Sequence, residues 1–176
     1  MMCGAAAVLA AALSLSCATQ PHPATAQATP AAVAPLAAQE AGLRTSLAQT
    51  AAVIVRTAGA LGVAYPARLA FVPDRAELLP AGMAMLDLLA GSLREYDRTE
   101  IVVAVYTDAI GSDAYNQQQS LARARAIVAY LQSRGVAPAR LIARGAGESA
   151  PVDAPNTPEG RDLNRRLELT IAALSS

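Results

Sequence analysis

The groups able to do chemistry are few, and they gather in one stretch, YTDAIGSDAYNQQQSLARARAIV, residues 106–128. Asp108 follows an apolar run. Asn116, Ser120 and Arg123 come after it at spacings of four and three, which on a helix puts them on one face. A carboxylate, an amide, a hydroxyl and a guanidinium would then meet near a helix N-terminus, whose free N–H groups favour anions. Such a set suits a zwitterion: the acid accepts from an ammonium while the arginine, able to pair bidentately, clasps a carboxylate. The spacing equally fits a plainer arrangement, with Asp108 capping a turn and Arg123 paired to it on the surface for about 0–1 kcal/mol.

The rest of the inventory points away from catalysis. The single histidine, His22, sits between two prolines, and both cysteines, Cys3 and Cys17, fall within the first twenty residues. Downstream of them no imidazole or thiol is available for a nucleophile, a zinc site or redox work. No metal-ligand set, nucleophile–base pair or phosphate-cradling glycine loop is visible, so the expectation is a binding protein with no cofactor. Lys and Arg total 14 and Asp and Glu total 14, every basic residue being arginine, which gives no basic surface for nucleic acid.

Several elements must position these residues. ARLAFV, residues 67–72, reads as a short strand ending at Pro73. PAGMAMLDLLAGSLREY, from Pro80, carries Met83, Leu86, Leu89, Ala90 and Leu93 on one side of an amphipathic helix. IVVAVY, residues 101–106, suits a central strand, and a second helix is expected from about Asp113 to Arg134, closed by Gly135. RLIAR at 140–144 and RRLELTIA, with Leu167, Leu169 and Ile171 alternating, complete the set. This order, βαβαβ-loop-β, predicts an α+β two-layer sandwich, a mixed β-sheet with helices on one face.

The first 62 residues are of other kinds. GAAAVLAAALSL, residues 4–15, has the length of an export-signal core and falls short of the roughly 20 residues that span a bilayer. Two processing routes are written after it. Cys17 in LSLSC resembles a lipobox, with Ser14 where leucine is expected, making residues 1–17 a signal peptide and Cys17 a lipidation site. Cleavage at the small-x-small sequence ending in Ala26 would instead release a soluble periplasmic protein. Residues 18–38, rich in Ala, Pro, Thr and Gln, read as an extended linker. For residues 39–61 both a loose helical stripe (Leu43, Leu47, Ile54, Leu61) and a hairpin broken by Gly59 and Gly62 fit.

FVPDRAEL, YTDAIGSDAYNQQQSLARARAIVAYLQSRGV, RLIARGAGESAPV and TPEGRDLNRRLEL stand in the order and spacing of another group of proteins. The chain from about residue 66 to 172 resembles the OmpA-like (OmpA/MotB/Pal) peptidoglycan-binding domain, and a domain spanning 63–174 is expected. The resemblance implies that Thr107, Asp108 and Arg123 grip the side-chain end of meso-diaminopimelate in the peptidoglycan stem peptide. It also implies a binding-loop role for Asn116 and, from the Asn-Arg-Arg block at 164–166, for Arg165 beside the cleft. It further implies an outer-membrane lipoprotein that tethers the membrane to the wall. Two departures are expected to narrow or retune the pocket: Val105-Tyr106 stand where the family has Gly-His, and Gln119 where it has Leu.

Two other readings compete. GAGESA, residues 145–150, fits a dinucleotide-binding fingerprint, but Pro151, Pro155 and Pro158 follow at once and leave no long helix to meet a pyrophosphate. Alternatively, the domain only positions a regulator, and residues 39–61 present an apolar face to an envelope protein partner.

Overall fold

The computed structural model describes residues 30–57 and 59–174. Cys3, Cys17, His22 and the cleavage site at Ala26 lie outside the described residues. The chain runs α1 (Pro30–Ser46), β1 (Val53–Arg56), β2 (Ala60–Pro66), α2 (Ala67–Ala70), α3 (Pro80–Glu95), β3 (Thr99–Tyr106), α4 (Asp113–Ser133), β4 (Leu141–Gly147), α5 (Pro158–Asn164) and β5 (Arg166–Ala173). The five strands form one mixed sheet in the order β1-β2-β5-β3-β4, with β3 and β4 parallel and the other pairs antiparallel. This is the expected α+β architecture.

Period-two alternation decides which way each strand faces. Leu61, Val63 and Tyr65 of β2, Ile101, Val103 and Val105 of β3, and Leu167, Leu169 and Ile171 of β5 turn to one side and are buried. There they meet Met85, Leu86, Leu89 and Leu93 of α3, and Ala124, Ile127 and Leu131 of α4, in a single core. Ser112 starts α4 by accepting from the Tyr115 N–H at 3.3 Å, and Gly135, at φ 86°, ends it.

Three sequence expectations are corrected here. Residues 67–72 are not a strand. Ala67–Ala70 form one helical turn, closed by Phe71 N–H donating to Ala67 O at 2.9 Å. The place in the sheet is taken by β2, and α3 packs so closely on the turn that a Cβ at Gly82 would lie 2.7 Å from the Ala70 backbone. Second, residues 30–38 are helical where an extended linker was expected. Leu36, Gln39, Leu43 and Leu47 recur at helical spacing and are all buried. Third, residues 39–61 hold both alternatives in turn, the end of a helix and then a hairpin. The apolar face offered to a partner is covered by the chain's own core at Leu43, Leu47 and Leu61; what this segment leaves exposed is Val53 and Val55 on the far side of the edge strand.

The edge strand is held by α1. Glu40 accepts from Arg44 at 2.9 Å and from Arg56 at 3.0 Å, and Arg44 also donates to Ile54 O at 3.3 Å. The two arginines, Arg44 first, hold the Glu40 carboxyl below its ordinary value of 4.5.

Candidate functional site

At the end of β3 the chain leaves the sheet at Thr107, whose N–H donates to Gly147 O at 2.7 Å. It then crosses to α4 through a loop that needs Gly111 at φ 105°. That loop, the first three turns of α4, α2 with the turn after it, and Arg165 at the end of α5 enclose a cavity of about 550 Å³. Thr107, Asp108, Asn116, Arg123 and Arg165, the five residues singled out from sequence, all line it.

Their pairing differs from the expected one. Asp108 does not face Arg123 as its ion-pair partner. Its Oδ1 accepts from the Ile110 N–H at 3.1 Å, tying down the loop, and its Oδ2 is paired with Arg165. Arg165 also reaches Asp162 at 3.2 Å, and Asp162 accepts from Arg68 at 2.8 Å, so this wall is a closed run of alternating charge. Burial alone would lower the Arg165 guanidinium; its hydrogen bonds to Asp108 and Asp162 outweigh that and raise it.

Arg123 is treated in the opposite way. It is 7% exposed and donates from Nε to Arg75 O at 2.9 Å, with its guanidinium carbon 5.2 Å from the centre of the Phe71 ring. Among the described residues no carboxylate pairs with it. Burial pulls it below the usual arginine value, with the nearby Asp74 charge opposing. It stays cationic, since a guanidinium starts so far above neutrality. Burying such a cation without a partner is costly. A cavity-lining cation with its terminal nitrogens unclaimed by protein is a site for an anionic group.

Asn116 is fixed by donating from Nδ2 to Asp108 O at 3.3 Å and to Glu148 at 3.1 Å. Thr107 Oγ1 is buried and has no hydrogen-bond partner among the described residues.

Ser120, read from sequence as part of the site, faces away. Its Oγ accepts from the Gly147 N–H at 3.0 Å and is fully buried against β4. The stripe that reaches the cavity is Asn116, Gln119 and Arg123, at spacings of three and four, and Gln119 donates to the Tyr115 hydroxyl at 3.0 Å. Asp74 and Phe71 also line the cavity and were missed; the Phe-x-Pro-Asp turn after a short apolar run was their one signal.

The departures at 105 and 106 act elsewhere than expected. Val105 is buried in the core, and Tyr106 points to the other side of the sheet, its ring centre 3.8 Å from the Arg166 guanidinium carbon. Neither borders the cavity. The glycines of GAGESA serve packing: a Cβ at Gly145 would lie 2.7 Å from Leu121 N, so they let β4 lie against α4. Asn164 organises the next loop, accepting from the N–H groups of Val152 and Asp153 at 2.8 and 3.1 Å.

Comparison with known proteins adds three findings. The model of the OmpA family matches residues 70–165. "Outer membrane protein A" of Bordetella avium is 38% identical over 109 residues, covering 62% of this chain and 56% of that protein; the chain thus spans a little over half the length of this relative. Among solved structures, a MotB-like protein from Desulfovibrio vulgaris superposes with a TM-score of 0.72 over 81% of this chain and 94% of its own, at 23% identity, a likeness of fold. The peptidoglycan-associated lipoprotein from Burkholderia pseudomallei gives 0.55 over 58% and 87%, at 26% identity.

Proposed function

The chain belongs to the OmpA family, and on that premise we propose that it binds peptidoglycan noncovalently by taking meso-diaminopimelate of the stem peptide into the cavity between the loop after β3, α4 and the end of α5. The observation that carries this reading is the buried Arg123, charged, lining the cavity and without a carboxylate of its own. Diaminopimelate supplies a carboxylate for that guanidinium and an ammonium for the acids across the cavity. Asn116 and Thr107 add an amide and an unpartnered hydroxyl, and Asp108 with Arg165 gives the wall its charge. Nothing in the set provides a nucleophile with a base, so the role is retention.

An envelope location accompanies this reading, since the relatives named above are outer-membrane and wall-associated proteins by name. Lipidation at Cys17 would fix the chain to the outer membrane and make it a tether between membrane and wall; cleavage after Ala26 would leave it soluble in the periplasm. One weak wall contact per copy suffices when many copies act together.

The test is cosedimentation of the purified full chain with diaminopimelate-type sacculi. Wild type is expected to pellet and to be released by free meso-diaminopimelate, while Arg123→Ala stays in the supernatant. A folded wild type that fails to pellet, or an Arg123→Ala variant that pellets equally, overturns the reading.

A further inference from the structure

Among the described residues, β1 is the outermost strand of the sheet, with β2 on one side and no strand on the other. The OmpA family match, residues 70–165, begins after it. In an antiparallel pair, residues that exchange backbone hydrogen bonds alternate with residues whose N–H and C=O point away. Thr57 N–H donates to Ala60 O at 2.9 Å where the hairpin closes, so counting back by twos Val55 and Val53 bond to β2 while Ile54 turns its backbone groups outward. Arg44 agrees with this count by donating to Ile54 O at 3.3 Å. One long hydrogen bond is a light cover for a sheet edge.

The side chains follow the same alternation. Val53 and Val55 are 59% and 55% exposed on the face away from the helices, backed across β2 by Ala64 and Gly62. Ile54 and Arg56 turn to the helix side, where Ile54 packs on the core and Arg56 is held by Glu40 at 3.0 Å. The valine face of β1 therefore carries no charge. At the other edge of the sheet, the exposed Ile142 of β4 is followed on the same face by the exposed Arg144, a charge set against pairing.

We propose that β1 pairs with β1 of a second copy of the chain, antiparallel about a two-fold axis through Ile54. The stretch Val53-Ile54-Val55 reads the same in both directions, so an identical strand running the opposite way matches it residue for residue. The two Ile54 exchange both backbone hydrogen bonds. Val53 of each copy stands opposite Val55 of the other, in the pair geometry that brings side chains closest, with Cα atoms about 4.5 Å apart. Arg44 gives up its bond to Ile54 O and keeps Glu40 at 2.9 Å. Such a short strand makes a small interface and a weak, reversible dimer. A joined pair carries two of the cavities described above, and weak contacts held in pairs reinforce one another.

Sedimentation equilibrium of the full chain tests this with no wall ligand present, so its outcome is separate from that of the binding reading. Wild type should associate reversibly to dimers at about 0.1 mM. Val53→Glu with Val55→Glu sets like charges opposite each other and should weaken association about tenfold or more. Val53→Lys with Val55→Glu sets lysine against glutamate in the proposed register and should restore it. Both positions are exposed, so an unchanged urea midpoint in each variant shows that folding is intact. A wild type that stays monomeric to about 1 mM overturns the proposal and leaves the edge to a strand of another protein. A double-glutamate variant that associates as wild type does also overturns it. So does a lysine–glutamate variant as weak as the double-glutamate one, since a pairing centred on Val55 would set the two glutamates together.

Discussion

Two buried arginines, each 7% exposed, sit in different parts of the fold and are treated in opposite ways. Arg140, just before β4, donates to Thr99 O and Leu93 O at 2.7 Å, to Tyr96 O at 2.9 Å and to the Thr99 hydroxyl at 2.7 Å, joining the end of α3 to the start of β3. Arg123, beside the cavity, has one hydrogen bond to protein. Burial lowers both guanidiniums below their ordinary value, but only the first is compensated by a full set of carbonyl and hydroxyl acceptors. A satisfied cation is architecture. One whose terminal nitrogens are left to the cavity is a place where another molecule can take them up.

The largest expected effect tests the satisfied side. Arg140→Ala leaves three carbonyls, two of them buried, short of donors and should cost about 3 kcal/mol or more in urea unfolding, while the fraction still folded binds sacculi as wild type does. At the cavity the sign of the outcome reverses. Arg123→Leu should cost sacculus binding about 2–3 kcal/mol, yet change unfolding stability by less than about 1 kcal/mol, because it removes a desolvated charge as well as a contact. If Arg123→Leu is as destabilising as Arg140→Ala, the contrast between the two sites fails.

Asp108→Asn falls between them. It keeps an acceptor for Ile110 N–H but weakens the link to Arg165, so a loss of about 1 kcal/mol in stability is expected, read by the same urea titration. The smallest effect is at the other closed network, where α1 holds the edge strand. Glu40 is depressed in the folded state, so its contribution is present above the ordinary value of 4.5 and is lost as pH falls through the lower folded value. Amide exchange in β1 and the second half of α1 should accelerate in that acid window before the α4 amides do. Glu40→Gln should remove the pH dependence.

Much of this was legible in the residues. The runs 101–106 and 165–172 read as strands, the Pro80 helix follows from its apolar period and the Asp113 helix from its close at Gly135, and Asp108 and Arg123 fall on one cavity. What failed did so for identifiable reasons. Residues 67–72 look like a strand because Leu69, Phe71 and Val72 are apolar, but the approach of α3 through Gly82 is a tertiary contact that no local pattern carries. Residues 30–38 look like a linker by composition, and the helical stripe becomes clear only when Leu36 is read together with Leu43 and Leu47. Ser120 and Gln119 both stand at helical spacing from Asn116 and Arg123; the closeness of Gly145 and Gly147 to α4 sets Ser120 against β4 and leaves Gln119 to the cavity. Val105 and Tyr106, as neighbours on a strand, face opposite sides of the sheet and cannot both border one pocket.

The last strand, β5, eight residues at the carboxyl end, is placed between β2 and β3. A chain emerging from its N-terminus can pair β1 with β2 early and β3 with β4 later, but these remain two separate pieces until β5 arrives. Loss of residues 166–173 would divide the sheet through its middle, and a chain made only as far as residue 165 lacks the strand that joins its two halves.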